Sequence, residues 1–452
     1  MYSQVADSTA ADVDAAAAAA AAALPAWAAL SPAQRARWLH KIADGIEARL
    51  EDFALAESKD QGKPVWLARA VDIPRAVHNF RFFAETVPYE RDVSMTTHKD
   101  GLEFLNYTKH SPLGVVGLIS PWNLPLYLLT WKIAPAMAFG CTCVCKPSEF
   151  TSMTAFMLSK LMVELDVPAG VVNMVMGTGP SVGAPMVDHP TIRGISFTGG
   201  PYAAQDITRR SAPLVKRLSL ELGGKNANLI FADADMDKAV ATSVRSAFAN
   251  QGEICLCASR IYVERSAYDA FLAKYVPAVE ALKVGPPSDP ETKVGPLASK
   301  GHMEKVLSYI DIARKEGGTI AAGGQRVTSL GDGYYVAPTV VTDLPRESRL
   351  ECEEIFGPVV IVVPFDTEEE AIARANAVHY GLAGVVWTQN LGRAHRVAAA
   401  IESGTVWVNT WMTRDTRVPF GGHKHSGIGI EGGPEHSREF FTNTKNICIA
   451  ME

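Results

Sequence analysis

The segment with the strongest chemical signal is 248–260, in which Cys255 stands in a turn that contains Gly252. An amphipathic helical pattern capped by Asp235 precedes this turn, and an apolar strand-like run, 261–263, follows it. A cysteine held between two rigid elements can face a cleft, which a thiolate nucleophile requires. The alternative is a buried structural cysteine, and for a lone cysteine that alternative is the better one.

Two other stretches supply groups that would complete a reaction centre around this thiol. Glu221 ends an alternating strand pattern, just before Gly223 and Gly224, where the backbone can turn sharply. A desolvated carboxyl there would have a raised pKa and could take a proton from water. Asn123 lies between two prolines, and its amide could donate to an oxyanion without a change of charge.

Composition bounds the class of protein. A chain of 452 residues with 47% hydrophobic content predicts two or three domains. A net charge of -6 gives no basic surface for nucleic acid, so we expect no such partner. Seven irregularly spaced cysteines favour a reducing, cytoplasmic setting. No unbroken run of about 18 apolar residues is present, so we expect no membrane span.

The elements that must position these groups follow an alternating order. From Gly114 onward, helical stretches alternate with strand-like runs, a pattern typical of a doubly wound α/β fold. Before Gly114, one helix is predicted over 10–24, ending before Pro25, and another begins at Ser31. Cys141, Cys143 and Cys145 alternate along one of the strands, so we expect them to pack in the core rather than bind a metal. No metal site is predicted elsewhere.

In the order of Asn123, Glu221 and Cys255, the chain resembles the aldehyde dehydrogenase superfamily over nearly its whole length. The resemblance implies an α/β fold with two doubly wound open-sheet domains and a small β oligomerisation arm. It divides the chain into an NAD-binding domain at 1–96 and 114–224, a catalytic domain at 225–432, and an arm at 97–113 and 433–452. Family members usually begin with a pair of strands that we expect to be absent here, and they assemble as homodimers or homotetramers.

The resemblance also implies a reaction. In the family a cysteine thiolate attacks an aldehyde, a hydride passes to a nicotinamide, and a glutamate-activated water hydrolyses the resulting thioester. By motif match the nucleophile is Cys255 and the base is Glu221. Asn123 and the backbone N–H of Cys255 would donate to the oxyanion.

The cofactor implied by the resemblance is NAD. Lys146 and Glu149 follow a strand and can bond ribose hydroxyls, and the carboxylate would repel the 2′-phosphate of NADP. Gly179 and Gly183 match the dinucleotide fingerprint only loosely. The predicted cofactor-binding residues are Ile119, Ser120, Pro121, Trp122, Lys146, Ser148, Glu149, Gly179, Gly183, Phe197, Thr198, Gly199, Leu222, Glu354 and Phe356.

For the substrate, the stretches 72–75, 255–257 and 407–420 are similar to the family branch that acts on 2-aminomuconic and 2-hydroxymuconic semialdehydes. Those substrates carry a carboxylate at the end remote from the aldehyde, and in the branch the residues matching Arg75 and Arg414 clamp it. Trp131 and Phe420 complete the predicted substrate site. The alternative is that Arg414 and its neighbours form a solvated charge cluster.

Two other functions stay open on the sequence. The first keeps the same reaction but takes a neutral or cationic aldehyde, such as betaine aldehyde. The second, of a different class, is a non-catalytic NAD-binding or structural protein with the same fold. Glu221, which is in place to bring water, disfavours transfer of the acyl group to coenzyme A.

Overall fold

The computed structural model describes residues 4–451. The strands are β1 Ser94–Lys99, β2 Leu102–Pro112, β3 Val115–Ile119, β4 Thr142–Lys146, β5 Val172–Met174, β6 Ile192–Thr198, β7 Arg217–Glu221, β8 Ala227–Ile230, β9 Arg260–Glu264, β10 Thr319–Ala322, β11 Thr339–Thr342, β12 Val359–Phe365, β13 Tyr380–Gly381, β14 Ala383–Trp387, β15 Thr405–Val408, β16 His423–Lys424, β17 Gly427–Ile428 and β18 Thr442–Met451.

The helices alternate with these strands through most of the chain. They are α1 Ala10–Ala29, α2 Pro32–Glu47, α3 Leu50–Gln61, α4 Val65–Leu67, α5 Ile73–Thr86, α6 Pro125–Ala138, α7 Met153–Glu164, α8 Ala184–Asp188, α9 Pro201–Ser211, α10 Met236–Phe248, α11 Arg265–Glu280, α12 Lys300–Lys315, α13 Arg349–Cys352, α14 Glu368–Asn376, α15 Leu391–Ala400 and α16 Gly433–Phe441. A π-helical turn, Ala68–Asp72, joins α4 to α5.

Two open sheets of mostly parallel strands form the body of the molecule. The first has the order β17-β7-β6-β3-β4-β5, and the second has the order β10-β11-β12-β9-β8-β14-β15. Strands such as β3, β4 and β14 are buried along their whole length, as a parallel sheet covered on both faces requires. The doubly wound α/β prediction is therefore confirmed, and Cys141, Cys143 and Cys145 lie in the core as expected.

A third, antiparallel sheet stands apart from these two. It has the order β1-β2-β18, and β18 pairs with β2 along its full length, from Thr442 opposite Pro112 to Met451 opposite Glu103. The strand-like runs predicted at 102–109 and 445–450 lie in it, whereas β1 was not predicted. Strand β17 pairs with β7 of the first sheet although it falls in the predicted catalytic range 225–432. The domain boundaries stay a prediction.

The first helix is longer than its sequence predicts. The expectation was an end before Pro25, but α1 continues to Ala29 with Pro25 inside it. The reason is tertiary: Trp27 is buried, and its indole N–H donates to the carbonyl oxygen of Met137 at 3.1 Å. Packing of this last turn against the core outweighs the hydrogen bond that a proline removes.

Two observations over residues 4–451 concern other kinds of site. No single helix is long and apolar enough to cross a membrane, and only α1 and α2 together, bent by 120°, reach that length and apolarity. In the same range, no cluster of three or more His, Cys, Asp or Glu side chains could hold a metal ion.

Candidate active site

A left-handed turn after α10 presents Cys255. Helix α10 is capped by Asp235, whose carboxylate accepts from the backbone N–H of Lys238 at 3.2 Å. Beyond its end, Asn250, Gln251 and Gly252 have φ values of 52°, 59° and 75°. A side chain at position 252 would collide with the backbone, because a Cβ there would lie 2.3 Å from the carbonyl oxygen of Gly357. The turn reverses the direction of the chain between α10 and β9, and Cys255 lies in this connection.

Asn226, directly before β8, holds this loop in place. Its side-chain amide donates to the carbonyl oxygens of Cys255 at 2.7 Å and Cys257 at 2.8 Å. Its Oδ1 accepts from the backbone N–H of Ala383 at 3.0 Å. Sequence reasoning missed Asn226, although an Asn two residues after the Gly223-Gly224 turn was a usable signal. With the backbone held, Cys255 lines a cavity of about 620 Å³ and Cys257 is buried in the core.

The predicted pair of Cys255 and Glu221 is brought together. Glu221 ends β7, is 5% exposed, and its Oε1 has no hydrogen-bond partner among residues 4–451. Burial raises the pKa of Glu221 well above its usual value, and the Glu431 carboxylate raises it further, whereas Lys132 and Arg414 lower it. Burial, together with Glu221, also raises the pKa of the Cys255 thiol to about 12. At neutral pH the Cys255 thiol therefore favours its protonated form.

A partly buried carboxylate that the sequence did not single out, with a side chain 13% exposed, lies beside Glu221. Glu431 accepts from Lys132 at 3.2 Å, from the hydroxyls of Ser196 at 3.2 Å and Ser219 at 3.0 Å, and from the indole N–H of Trp131 at 2.8 Å. These donors come from α6, β6 and β7, which are far apart in the sequence. No local sequence pattern could therefore predict that they surround Glu431. It places one anion and one cation next to the Glu221 carboxyl.

Asn123 lies in the wall of the same cavity as Cys255. One N–H of its side-chain amide donates to the carbonyl oxygen of Glu253 at 2.8 Å, and the amide has a second N–H to give. Its backbone carbonyl oxygen accepts from Lys63 at 3.1 Å and from Asn250 at 3.1 Å. Lys63 is itself buried and paired with Asp72. The side-chain amide of Asn123 is thus fixed by Glu253 and its backbone by Lys63 and Asn250, as an oxyanion donor must be fixed.

A second cavity, of about 470 Å³, lies along the carboxyl ends of the first sheet. It shares Pro121, Trp122, Thr198, Gly199 and Gly200 with the first cavity, so the two border one another. Every residue predicted to bind the cofactor lines one cavity or the other. This edge of an open α/β sheet is where dinucleotides bind.

The polar groups of this second cavity fit an adenosine ribose. Lys146 donates to the Glu149 carboxylate at 3.2 Å, so both groups that can bond ribose hydroxyls stand together. The buried hydroxyl of Ser120 has no partner within the described chain. A Cβ at Gly179 or Gly200 would meet no atom of the described residues within 4 Å, which leaves the backbone open to a close-lying ligand.

The border of the first cavity carries the other predicted cofactor residues. The Glu354 carboxylate accepts from the backbone N–H of Gly224 at 2.8 Å, and a Cβ at Gly223 would lie 2.1 Å from it. The ring of Phe356 meets that of Trp122 edge to face, with centroids 5.4 Å apart. Phe356 has a left-handed backbone with a φ of 62°, and its carbonyl oxygen accepts from Nε2 of His302 at 2.7 Å.

His302 is a further residue that sequence reasoning missed. It lies in the first turn of α12, and its ring centroid is 5.1 Å from that of Trp122. Burial lowers the pKa of His302 to about 4, so the ring is neutral and its Nε2–H can serve as the donor to Phe356. The only sequence signal was a histidine within an otherwise regular helical pattern.

The predicted substrate residues also converge. The guanidinium groups of Arg75 and Arg414 lie over the ring of Trp131, at 5.4 and 5.7 Å from its centroid. Arg75 also lies over Tyr127 at 5.2 Å, and Arg414 over Phe420 at 3.8 Å. Nη2 of Arg75 is buried and has no hydrogen-bond partner among residues 4–451.

The alternative of a solvated charge cluster applies to only part of this segment. Asp415 and Arg417 form an exposed ion pair. Arg414 is not part of that pair: it packs on aromatic rings and acts on the pKa of both Cys255 and Glu221. Along the described chain, neither Arg75 nor Arg414 forms an ion pair with an Asp or Glu.

Comparison with known proteins agrees with this geometry. Residues 1–447 match the model of the aldehyde dehydrogenase family. A 2-aminomuconic semialdehyde dehydrogenase from Danio rerio is 54% identical, over 99% of this chain and 93% of its own length. A 2-hydroxymuconic semialdehyde dehydrogenase from Pseudomonas sp. (strain CF600) is 48% identical, over 100% of this chain and 94% of its own.

A solved structure extends the likeness to three dimensions. The NAD+ complex of an aldehyde dehydrogenase from Bacillus cereus superimposes with a TM-score of 0.95 at 42% identity. The match covers 99% of this chain and 90% of that one. A thiol and an amide thus line one cavity beside a dinucleotide groove, and a buried carboxyl, Glu221, lies within electrostatic reach of the thiol, on a fold shared with proteins of that name. The chain belongs to the aldehyde dehydrogenase family.

Proposed function

We propose that the protein is an NAD-dependent dehydrogenase that oxidises a carboxylate-bearing semialdehyde, of the 2-aminomuconic or 2-hydroxymuconic type, to the acid. The observation that carries this proposal is the pair of guanidinium groups on Trp131, which have no carboxylate partner within residues 4–451. A buried guanidinium keeps its charge, so it is stabilised when an anion occupies the site. The names of the two muconic semialdehyde relatives support the same substrate class.

Cys255 is the nucleophile of the proposed reaction. Its sulfur bonds to the aldehyde carbon, and the oxygen takes up negative charge near the Asn123 amide and the Cys255 backbone N–H. The thiol proton has to leave first, because the pKa of the thiol is raised to about 12. Glu221 is the base that we assign, since its raised pKa makes its carboxylate a stronger proton acceptor.

Glu221 acts again when the oxidised intermediate, a thioester on Cys255, is hydrolysed. It takes a proton from water, the hydroxide attacks the thioester carbon, and the thiol is released together with the acid. The Glu431 carboxylate raises the pKa of Glu221, and Lys132 lowers it. This neighbouring pair therefore sets how readily the base accepts and returns its proton.

NAD, when bound, accepts the hydride that leaves the substrate carbon. We assign the adenosine ribose to Lys146 and Glu149, and the carboxylate of Glu149 disfavours the 2′-phosphate of NADP. Glu354 and Phe356, at the border of the Cys255 cavity, are assigned to the nicotinamide end. The cavity size and the unpartnered hydroxyl of Ser120 support binding of the dinucleotide along this groove.

The two competing functions have less support. A cationic aldehyde such as betaine aldehyde would meet the positive charges of Arg75 and Arg414, and a neutral one would leave them without an anion. A non-catalytic role has no need for a buried acid, Glu221, within electrostatic reach of both the Cys255 thiol and the Glu431 carboxylate.

We further propose a homodimer or homotetramer that uses the antiparallel sheet β1-β2-β18. Within residues 4–451, its outer strands, β1 and β18, each have one unpaired edge, and most of their residues are exposed. An unpaired edge of this length is a template for pairing with a second chain. The cytoplasmic setting stays a prediction from the cysteine content.

The test of the function is direct oxidation. The purified protein, NAD and freshly generated 2-aminomuconic or 2-hydroxymuconic semialdehyde should produce NADH, with NADP and betaine aldehyde as the poorer cofactor and substrate. If betaine aldehyde or an uncharged aldehyde has the higher kcat/KM, the assigned substrate class is wrong. Thermal stabilisation by NAD with no turnover of any aldehyde would instead favour a non-catalytic protein.

A further inference from the structure

Arg75 is tied to a neutral side chain one helical turn away. Both Arg75 and Asn79 lie on α5, at the spacing of four residues that brings side chains together. Nε of Arg75 donates to Oδ1 of Asn79 at 3.1 Å. Asn79 is 0% exposed, so this contact is made in the interior.

The orientation of the Asn79 amide is determined by α6. Its nitrogen donates to the carbonyl oxygen of Tyr127 at 3.1 Å and to Oγ1 of Thr130 at 3.0 Å. The carbonyl oxygen of Tyr127 can only accept a hydrogen bond. The hydroxyl of Thr130 already donates its proton to that same oxygen at 3.0 Å, so toward Asn79 it can only accept. The amide nitrogen must therefore face α6, which leaves Oδ1, an acceptor, to face Arg75.

The consequence for Arg75 is a fixed direction and an uncompensated charge. Its Nε is held by Asn79 and its guanidinium carbon lies over the rings of Tyr127 and Trp131, while Nη2 has no partner among residues 4–451. Elsewhere a carboxylate fills the same spacing: Arg349 pairs with Glu353 four residues on. A carboxylate at position 79 would pair with Arg75 and compete with any anion brought by the substrate.

We propose that Asn79 is a positioning residue that aims Arg75 at the substrate carboxylate, and that its lack of charge is what keeps Arg75 available to an anionic aldehyde. This inference rests on the proposed function, because it assumes that Arg75 binds the carboxylate. It makes position 79, which does not itself contact the reacting atoms, a determinant of selectivity between acidic and uncharged aldehydes.

The test compares KM for 2-hydroxymuconic semialdehyde with KM for an unbranched aldehyde of similar length that lacks a carboxylate. The variants are Asn79→Asp, Asn79→Leu, Arg75→Met and the double variant Arg75→Met with Asn79→Leu. Asn79→Asp keeps the size of the side chain but adds the competing charge. Both Asn79 variants should raise KM for the acidic aldehyde about tenfold, because a tenfold loss of affinity corresponds to the loss of about one hydrogen bond to a charged group. They should leave kcat and KM for the uncharged aldehyde nearly unchanged.

The double variant separates positioning from simple destabilisation. If Asn79 acts through Arg75, the double variant should bind the acidic aldehyde no worse than Arg75→Met alone. Thr130→Val, which removes one acceptor of the Asn79 amide, should shift the same KM in the same direction by less. This last variant keeps the test available if Asn79→Leu does not fold.

The outcomes distinguish the inference from the function it rests on. If Arg75→Met leaves KM for the acidic aldehyde unchanged, the carboxylate site itself is wrong and the inference falls with it. If Arg75→Met raises that KM but Asn79→Asp and Thr130→Val do not, only the inference is overturned. An equal loss for both aldehydes, or a full additional loss in the double variant, would also overturn it.

Discussion

The two ends of the proposed substrate site, at Cys255 and at Arg75, each bury an ionisable group without a hydrogen-bond partner among residues 4–451, and the two groups respond to burial in opposite ways. At the Cys255 end, Oε1 of Glu221 has no partner, and burial raises its pKa so that the carboxyl can take up a proton. At the far end, Nη2 of Arg75 has none, and a guanidinium cannot be neutralised at any ordinary pH. One end is thus suited to proton transfer and the other to binding an anion.

Arg414 links these two ends. It shares the ring of Trp131 with Arg75, and it lowers the pKa of both Cys255 and Glu221. The comparison therefore predicts that changes at the Cys255 end alter turnover of every aldehyde, whereas changes at the guanidinium end alter the preference among aldehydes.

The largest effect is expected from Cys255→Ser. A serine hydroxyl is hardly ionised at neutral pH, so NADH formation should fall below detection, and loss of a covalent nucleophile can cost on the order of 10⁶-fold. The measurement is steady-state NADH formation with a sensitive fluorescence readout. Cys257→Ser, two residues away in the core, is the matched control and should keep most of the activity. Retained turnover in Cys255→Ser would remove the assigned nucleophile.

Glu221→Gln should follow, with a fall in kcat of about 10²- to 10⁴-fold, because a general base is lost while the size of the side chain is kept. The loss should be the same for acidic and uncharged aldehydes, since the base does not contact the remote carboxylate. The affinity for NAD, measured by fluorescence quenching, should stay unchanged. Full turnover in this variant would mean that another group activates the water.

At the opposite end, Arg414→Met should raise KM for an acidic semialdehyde roughly tenfold to a hundredfold, because one charged hydrogen bond is lost. An uncharged aldehyde of similar length should be affected much less. Arg417→Met is the matched control, since Arg417 is exposed and already paired with Asp415. A similar rise of KM in both variants would show that Arg414 acts only through the general charge of the surface.

The smallest effect concerns the pH dependence of the thiol. Only the thiolate reacts with iodoacetamide, and burial raises the pKa of Cys255 to about 12. Alkylation of Cys255, followed by mass spectrometry, should therefore accelerate about tenfold per pH unit between about pH 7 and 9. In Arg414→Met the rate should be lower at each pH, because a charge that favours the thiolate is gone. A plateau below pH 9 would contradict the raised pKa.

The sequence predicted the order of the elements well and the ends of some elements poorly. Periodic patterns located β3, β6 and α10 to within a few residues, because burial of one face leaves a regular trace. The end of α1 was wrong because Trp27 makes a distant contact with Met137 that no local pattern contains. Strand β1 was missed because its residues are exposed and lack an apolar alternation.

The same division applies to the site. Cys255, Glu221 and Asn123 could be proposed from the sequence because each stands near glycines or prolines that mark a special turn. Asn226, Glu431 and His302 were not, because they act through hydrogen bonds to residues far away in the chain. Sequence motifs identify side chains that need a particular backbone conformation. They do not identify side chains whose role depends only on hydrogen bonds to distant residues.

By itself the sequence determined the α/β class, the family and the chemical groups available, because helical and strand periodicity and a few turn motifs are local properties. Tertiary structure alone decided which of those groups share a cavity, which are paired and which are left unsatisfied. The Glu221 carboxyl is desolvated only when distant segments pack around it. In the same way, Nη2 of Arg75 is buried without a hydrogen-bond partner among residues 4–451 only once the chain has folded. Charge and pKa depend on that enclosure, and so does the proposed choice of substrate.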